Sequence, residues 1–347
     1  MTSQSVPPRT LEGYFFEDYR PGQHFVHATP RTLTQGDVAL YQALTGSRSV
    51  VHCAEPVARS LGYPAMPVDD LLVFHIAFGK TVPDISYNAV ANLGYANLRF
   101  LAPVYIGDTL SCATDIIGVK ENSSGRNGNV YVRSVASNQH GEPVLTWIRW
   151  VMVNKRNVQT PAPVTVIPDL PTFVAPSDLR IFAGLRPERL NPADTGGTRL
   201  FGDYRLGEVI RHPAGMTLDE TDHTLATKLY QNTARVHFDA RHMAGSTFGK
   251  RLVYGGQVIS ICRALAHDGL ENVLTWAAIN AGAHKNPTFA GDTLHARTTV
   301  LDAWPLNPKL GALRLRMTGF KNHAPDSDDI PPELVVLDLD YTVLMPR

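Results

Sequence analysis

Along this chain the apolar positions change period several times, and the changes mark out elements. Val38, Leu40, Tyr41 and Leu44 recur at helical spacing, which predicts a helix opening near Thr34. Further on, Asp70–Gly79 is an almost wholly apolar segment of helical composition. Four strand-like segments follow, at 89–100, 109–119, 130–137 and 144–153. Asn138-Gln139-His140-Gly141-Glu142 between the last two has the composition of a hairpin turn. The same order then returns. A helix opens near Asp219, a second apolar helix spans Gly256–His267, and strands are predicted at 276–284, 293–301, 313–320 and 335–345. In the second apolar helix Val258, Ile259, Ile261, Cys262, Ala264 and Leu265 leave no polar stripe. A helix that is apolar on all sides has to be buried on all sides.

The order of elements repeats because the sequence repeats. Phe16-Glu17-Asp18-Tyr19-Arg20-Pro21-Gly22 returns 185 residues later as Phe201-Gly202-Asp203-Tyr204-Arg205-Leu206-Gly207. At the same spacing Asp37 returns as Asp222, Leu44 as Leu229 and His52 as His237. Gly107-Asp108-Thr109-Leu110 returns as Gly291-Asp292-Thr293-Leu294, one residue early. A repeat this long cannot be a solenoid unit and implies two copies of one domain packed as a pseudo-dimer. One buried helix wrapped by a long antiparallel sheet is the hot-dog arrangement, so the predicted fold is α+β, a double hot-dog. Residues 1–156 form the first copy and 199–347 the second. Between them, 157–198 carries Pro161, Pro163, Pro168, Pro171 and Pro176. That density of proline predicts a semi-rigid, extended linker.

Composition narrows the class. The 32 Lys and Arg balance 32 Asp and Glu, which argues against a broad basic face for nucleic acid. Cys53, Cys112 and Cys262 stand at unrelated spacings and make neither a disulfide framework nor a zinc pattern. No apolar run approaches the ~18 residues of a membrane span, and the first residues lack the apolar core of a signal peptide. The expectation is a soluble cytoplasmic protein.

Candidate chemistry gathers in the second copy, where Tyr230-Gln231-Asn232-Thr233-Ala234-Arg235-Val236-His237 precedes Leu252-Val253-Tyr254-Gly255-Gly256. The glycines open the buried helix, where the first amide N–H groups are unpaired and lie at the positive end of the helix dipole. Glycine lets a ligand approach that backbone closely, as an oxyanion hole for a thioester enolate requires. His237 supplies a side chain suited to acid–base work near neutral pH. A plain turn before a helix and a structural histidine are the bland alternatives, and each is weakened by the presence of the other. In the first copy Asn232 becomes Ser47 and Gly255 becomes Asp70. Asp69-Asp70 reads as a carboxylate capping the free amides, which would close that site to an anion. His52 is then vestigial, and His75 a core histidine.

The segment Asn232–His237 with Val253–Gly256 resembles the motif of MaoC-like, R-specific enoyl-CoA hydratases. Longer segments resemble the mesaconyl-CoA hydratase branch of that family over nearly the whole chain. Among them are FFEDYRPG, PVDDLLVFHIAFGKTVPD, NAVANLGYANLRFLAPVYIGDTL, LYQNTARVHFD and YGGQVIS. The resemblance implies reversible addition of water to the double bond of an acyl-CoA thioester, mesaconyl-CoA, within a carbon-assimilation route. It also implies a metal-free site and no cofactor beyond the CoA of the substrate. The sequence departs from the family where a catalytic Asp is expected at Asn232 and an Asn at Ala234. An amide does not ionise, so His237 is expected to move the proton alone, with Asn232 holding the water or fixing the imidazole. Arg235, which replaces a proline of the motif, is the first candidate for binding the free carboxylate of the substrate. Tyr254 and His284 are further substrate-binding candidates, with Arg99 a weaker one. A hot-dog thioesterase and a non-catalytic acyl-CoA-binding module are the competing readings. The first needs a carboxylate on the buried helix, which has none before Asp268. Further pairing of the double hot-dog into a homodimer is expected.

Overall fold

The computed structural model describes residue 6 and residues 9–347. The first copy contributes two short strands, β1 (His24–Val26) and β2 (Arg31–Thr32). Four long ones follow: β3 (Ala89–Phe100), β4 (Thr109–Glu121), β5 (Asn127–Ser137) and β6 (Pro143–Asn154). The second copy repeats the set with β7 (Val209–Arg211), β8 (Met216–Thr217), β9 (Thr275–His284), β10 (Thr293–Asn307), β11 (Leu310–Lys321) and β12 (Val335–Pro346). Strands hydrogen-bond in the order β1-β4-β5-β6-β3-β9-β12-β11-β10-β7, with β2 on β4 and β8 on β10. The two copies therefore share one sheet. They meet at β3 and β9, antiparallel, with Tyr95 opposite Gly282 and Ala96 opposite Ala281. The order reads the same from either end once the repeat is allowed for, which is the expected pseudo-dyad.

Two central helices, Asp70–Thr81 and Gly255–Leu265, lie within the curve of this sheet. In the first, every residue from Leu71 to Thr81 is buried. It gives way at Thr81 to a wider turn, Val82–Ser86, where Pro83 has no N–H to continue the ladder. The second begins one residue earlier and ends two residues sooner than its apolar run. The helices that open near Thr34 and Asp219 are Gln35–Thr45 and Glu220–Leu229. Thr34 caps the former in a reciprocal box with Asp37.

Polar side chains on the central helices are spent on tying the copies together. Gln257 accepts from Tyr230 Oη (2.8 Å) and donates to the Leu44 carbonyl (3.0 Å). Ser260 Oγ meets both His75 Nε2 (2.8 Å) and Tyr41 Oη (3.0 Å). At Gly79 a Cβ would lie 1.9 Å from the Tyr230 carbonyl oxygen, so only glycine admits the loop that leads to Asn232.

The proline-rich segment is docked along its length. Val166 pairs with Val119, and the Val174 N–H donates to Asn280 Oδ1 (2.9 Å). Phe182 stacks on Tyr63 at 5.0 Å, and the Arg186 N–H reaches the Leu61 carbonyl (2.8 Å). No helix among the described residues is long and apolar enough to cross a membrane.

Candidate active site

A cavity of about 320 Å³ opens between the copies. The second copy supplies Asn232, His237, Tyr254, Gly255 and His284 to its wall, and the first supplies Phe78, Asn92, Tyr95 and Arg149. Short elements place His237. Gln231 takes a left-handed conformation (φ 52°), as Gly46 does at the equivalent place in the first copy (φ 67°). The short helix Arg235–Phe238 then carries the imidazole over the start of the second central helix.

The two repeated histidines share one anchor. His237 Nδ1 donates to the Leu252 carbonyl (2.9 Å), and His52 Nδ1 to the Pro67 carbonyl (3.1 Å), at matching positions of the repeat. That bond fixes the tautomer and leaves Nε2 as an acceptor. The surroundings of Nε2 differ. His52 Nε2 faces the Asp70 carboxylate at 3.5 Å. His237 faces a cavity in which Asp70 is replaced by Gly255. Burial pulls the His237 pKa down to about 4, so the ring is neutral and basic at physiological pH. At His52 burial opposes the charged form, but the Asp70 carboxylate outweighs it and the pKa is raised.

Asn232 is buried, and its Oδ1 accepts from the Ala234 N–H (3.0 Å). Among the described residues its Nδ2 has no hydrogen-bond partner, and it is the end of the side chain left for the cavity. Gly255 lines the cavity, and a Cβ there would fall 2.4 Å from His284 Nε2. Gly256 lies behind the wall, packed against the Tyr254 ring and His75, so close packing of rings is what requires glycine at that position. Tyr254 lines the cavity and meets the His237 ring edge-on at 5.6 Å. His284 shares a hydrogen bond with Tyr95 Oη (3.2 Å), and burial pulls its pKa down to about 4.

Arg235 stands elsewhere. Its guanidinium lies over the Tyr87 ring (4.8 Å) and donates to Asn88 Oδ1 (3.3 Å), outside the cavity wall. A four-residue helix turns it away from the side on which His237 faces inward, so the fold does not bring it together with the other candidate residues. Arg99 is not in the wall either. In the first copy Asp69 caps the helix by accepting from the Leu71 N–H (3.0 Å) and pairs with Arg263. Asp70 instead accepts from Thr275 Oγ1 (2.6 Å) and the Trp276 N–H (3.0 Å) of β9.

The sequence reading missed Arg149 and Asn92. Arg149 is fully buried, with its guanidinium 4.3 Å above the Phe78 ring. The strand pattern held a signal: Trp147, Arg149, Val151 and Val153 share one parity on β6, and the other three are fully buried apolar residues. Among the described residues no Asp or Glu lines the cavity, and no three His, Cys, Asp or Glu side chains converge in a metal-holding group.

Comparison with known proteins places this architecture in a class. A family model described as "MaoC like domain" matches residues 17–138, which lie in the first copy. Over 98% of this chain and 99% of the relative, the sequence is 52% identical to a beta-methylmalyl-CoA dehydratase of Chloroflexus aurantiacus. It is 49% identical to a mesaconyl-CoA hydratase of Cereibacter sphaeroides, over 98% of this chain and all of that one. A crystal structure of a MaoC domain protein dehydratase from Chloroflexus aurantiacus superposes with a TM-score of 0.94 at 51% identity, covering 98% of this chain and 99% of that one. A Mycobacterium tuberculosis protein described as having a double hotdog fold superposes at 0.75 with 26% identity, covering 97% and 99%. The chain is a double hot-dog protein and belongs to the MaoC-like hydratase and dehydratase family. Within that family, a beta-methylmalyl-CoA dehydratase and a mesaconyl-CoA hydratase are among the relatives it matches over their full length.

Proposed function

We propose that the chain catalyses the reversible hydration of mesaconyl-CoA to β-methylmalyl-CoA, at the cavity between the copies. The observation that carries this reading is His237 Nε2, held as a neutral acceptor beside the start of a buried helix. The same nitrogen in the first copy is closed off by Asp70. Full-length relatives named for both directions of the reaction support the substrate.

The thioester carbonyl lies against the free amides at Gly255, where unpaired N–H groups and the helix dipole stabilise the enolate oxygen. His237 takes a proton from water as the water oxygen bonds to the β-carbon. The alkene electron pair moves to the thioester as an enolate. The same imidazole, now protonated, returns the proton to the α-carbon, so both additions occur on one face. Asn232 Nδ2 donates to the water oxygen and orients its lone pair toward the β-carbon. In reverse each step runs backwards and water leaves. A thioesterase would need a carboxylate in the wall, and none is present among the described residues.

Following the alkene absorbance of mesaconyl-CoA tests this directly. Wild type should remove the signal without releasing free CoA. His237→Ala should lower kcat ~10²–10⁴-fold, the usual contribution of general acid–base catalysis. Release of CoA, or a variant as active as wild type, would overturn the reading.

A further inference from the structure

Two arginines, one from each copy, are largely enclosed, Arg149 completely. Arg263 lies over Trp276 and is paired with the Asp69 carboxylate. Arg149 lies over Phe78 and has neutral partners only. Its Nη2 donates to Thr81 Oγ1 (3.0 Å) and Ser86 Oγ (3.3 Å), and its Nη1 to Asn92 Oδ1 (3.4 Å). Among the described residues, Arg149 Nε and Asn92 Nδ2 are both buried donors without an acceptor. No ion pair to Asp or Glu reaches this guanidinium among the described residues, and the ionisable groups close enough to act on it are Tyr95, Tyr254 and Tyr19. A buried cation lacking a counter-charge is costly, and so are unmade hydrogen bonds at buried donors. Burial pulls the Arg149 pKa down to about 10, which still leaves it charged at neutral pH.

The cavity explains the expense. Arg149, Asn92 and Ser86 all border it. Phe78 beneath the guanidinium is one ring contact from Tyr254 (5.7 Å), and Tyr254 is one from His237 (5.6 Å). The missing acceptor is thus an anion brought by the ligand, within the same cavity wall as the helix start that receives the thioester. We infer that Arg149, with Asn92 and Ser86, is the receptor for the free carboxylate of the substrate and selects dicarboxylic acyl-CoA esters. This rests on the hydratase reading and adds the residue that sets its substrate class. Nε and the remaining N–H of Nη1 are the donors this guanidinium has left for a carboxylate. In mesaconyl-CoA that carboxylate is bonded to the β-carbon, the atom attacked by water. Neutralising it removes the charge that would repel an oxygen nucleophile.

The test compares mesaconyl-CoA with tiglyl-CoA, in which a methyl group stands in place of the free carboxylate. In wild type the ratio of the two kcat/KM values should exceed ~100, since a buried site built for polar groups rejects a ligand that leaves them unpaired. Two variants should collapse it toward one. Arg149→Met removes the cation. Asn92→Asp sets a carboxylate of the protein beside Arg149, occupying the receptor while relieving the buried charge, so it remains a fair test if Arg149→Met does not fold. A ratio unchanged in Asn92→Asp, or a wild type that accepts both esters equally, would overturn the assignment. A wild type inert toward mesaconyl-CoA but active on other enoyl-CoA esters would instead refute the hydration of mesaconyl-CoA, and the receptor with it.

Discussion

His237 and His52 occupy equivalent positions, keep the same Nδ1 anchor and differ in what meets Nε2. For His52 that neighbour is a carboxylate that favours the imidazolium. For His237 it is a low-dielectric pocket whose burial favours the neutral ring and brings the pKa to about 4. The difference has a kinetic consequence. A base works only when unprotonated, so kcat/KM should hold its plateau down through pH 6.5 and fall only as pH drops through about 4, the free-enzyme value. Stopped-flow hydration after a brief pH jump, with activity recovered on return to neutrality, measures the limb apart from acid unfolding. A limb at the ordinary histidine value of about 6.5 would show that His237 is not held as the cavity suggests.

At the scale of elements, the start of each central helix is where the copies diverge. In the second, Gly255 leaves the amides open. In the first, Asp69 closes them and also holds Arg263, a contact that crosses between the copies. Asp69→Asn keeps the shape and the cap but strands a buried guanidinium. It should destabilise the fold by about 3–5 kcal/mol, read by urea unfolding, while activity per folded molecule stays within ~3-fold because Asp69 is outside the cavity wall. A loss under 1 kcal/mol would mean that water reaches Arg263. These elements also show what a single sequence discloses. Segment 89–100 and both buried helices were legible because a run of apolar residues is a local signal, and the repeat showed each element twice. Asp69-Asp70 was legible as a disabling substitution, but not that Asp70 caps β9. Docking of the proline-rich segment was hidden as well, since Phe182 on Tyr63 is a contact between segments far apart in sequence. Arg149 was legible in principle from its parity on β6. A charged residue with inward parity is a buried polar group, and it carries more information than an arginine beside a motif, such as Arg235.

For the whole molecule, fusing two copies into one sheet makes it possible to bury many histidines between them, and that sets how stability varies with pH. Burial holds the pKa of His75 near 3 and those of His237 and His284 near 4. Burial also lowers His212, His223 and His267. In the unfolded chain each would titrate near 6.5. Between that value and the folded ones the unfolded state binds more protons, so stability rises with pH across the window and is lost as pH falls from about 6.5 toward 4. His52 acts in the opposite sense, since its folded pKa is raised: its contribution is full below the unfolded value and is lost as pH rises through the folded one. One raised histidine stands against six lowered ones, so the net slope is positive. His75 isolates a single contribution because it is wholly buried and lies outside the cavity wall. Going from pH 7 to pH 5 should remove about 2 kcal/mol through His75 alone, on a folded pKa far below 5. His75→Leu fills the same space and leaves Tyr41 bonded to Ser260. Urea unfolding at the two pH values should show the pH-dependent loss shrinking by about 2 kcal/mol in His75→Leu relative to wild type, whatever the variant does to stability at pH 7. An unchanged loss would mean that His75 is protonated within the fold, with its Nε2–H donated to Ser260 Oγ.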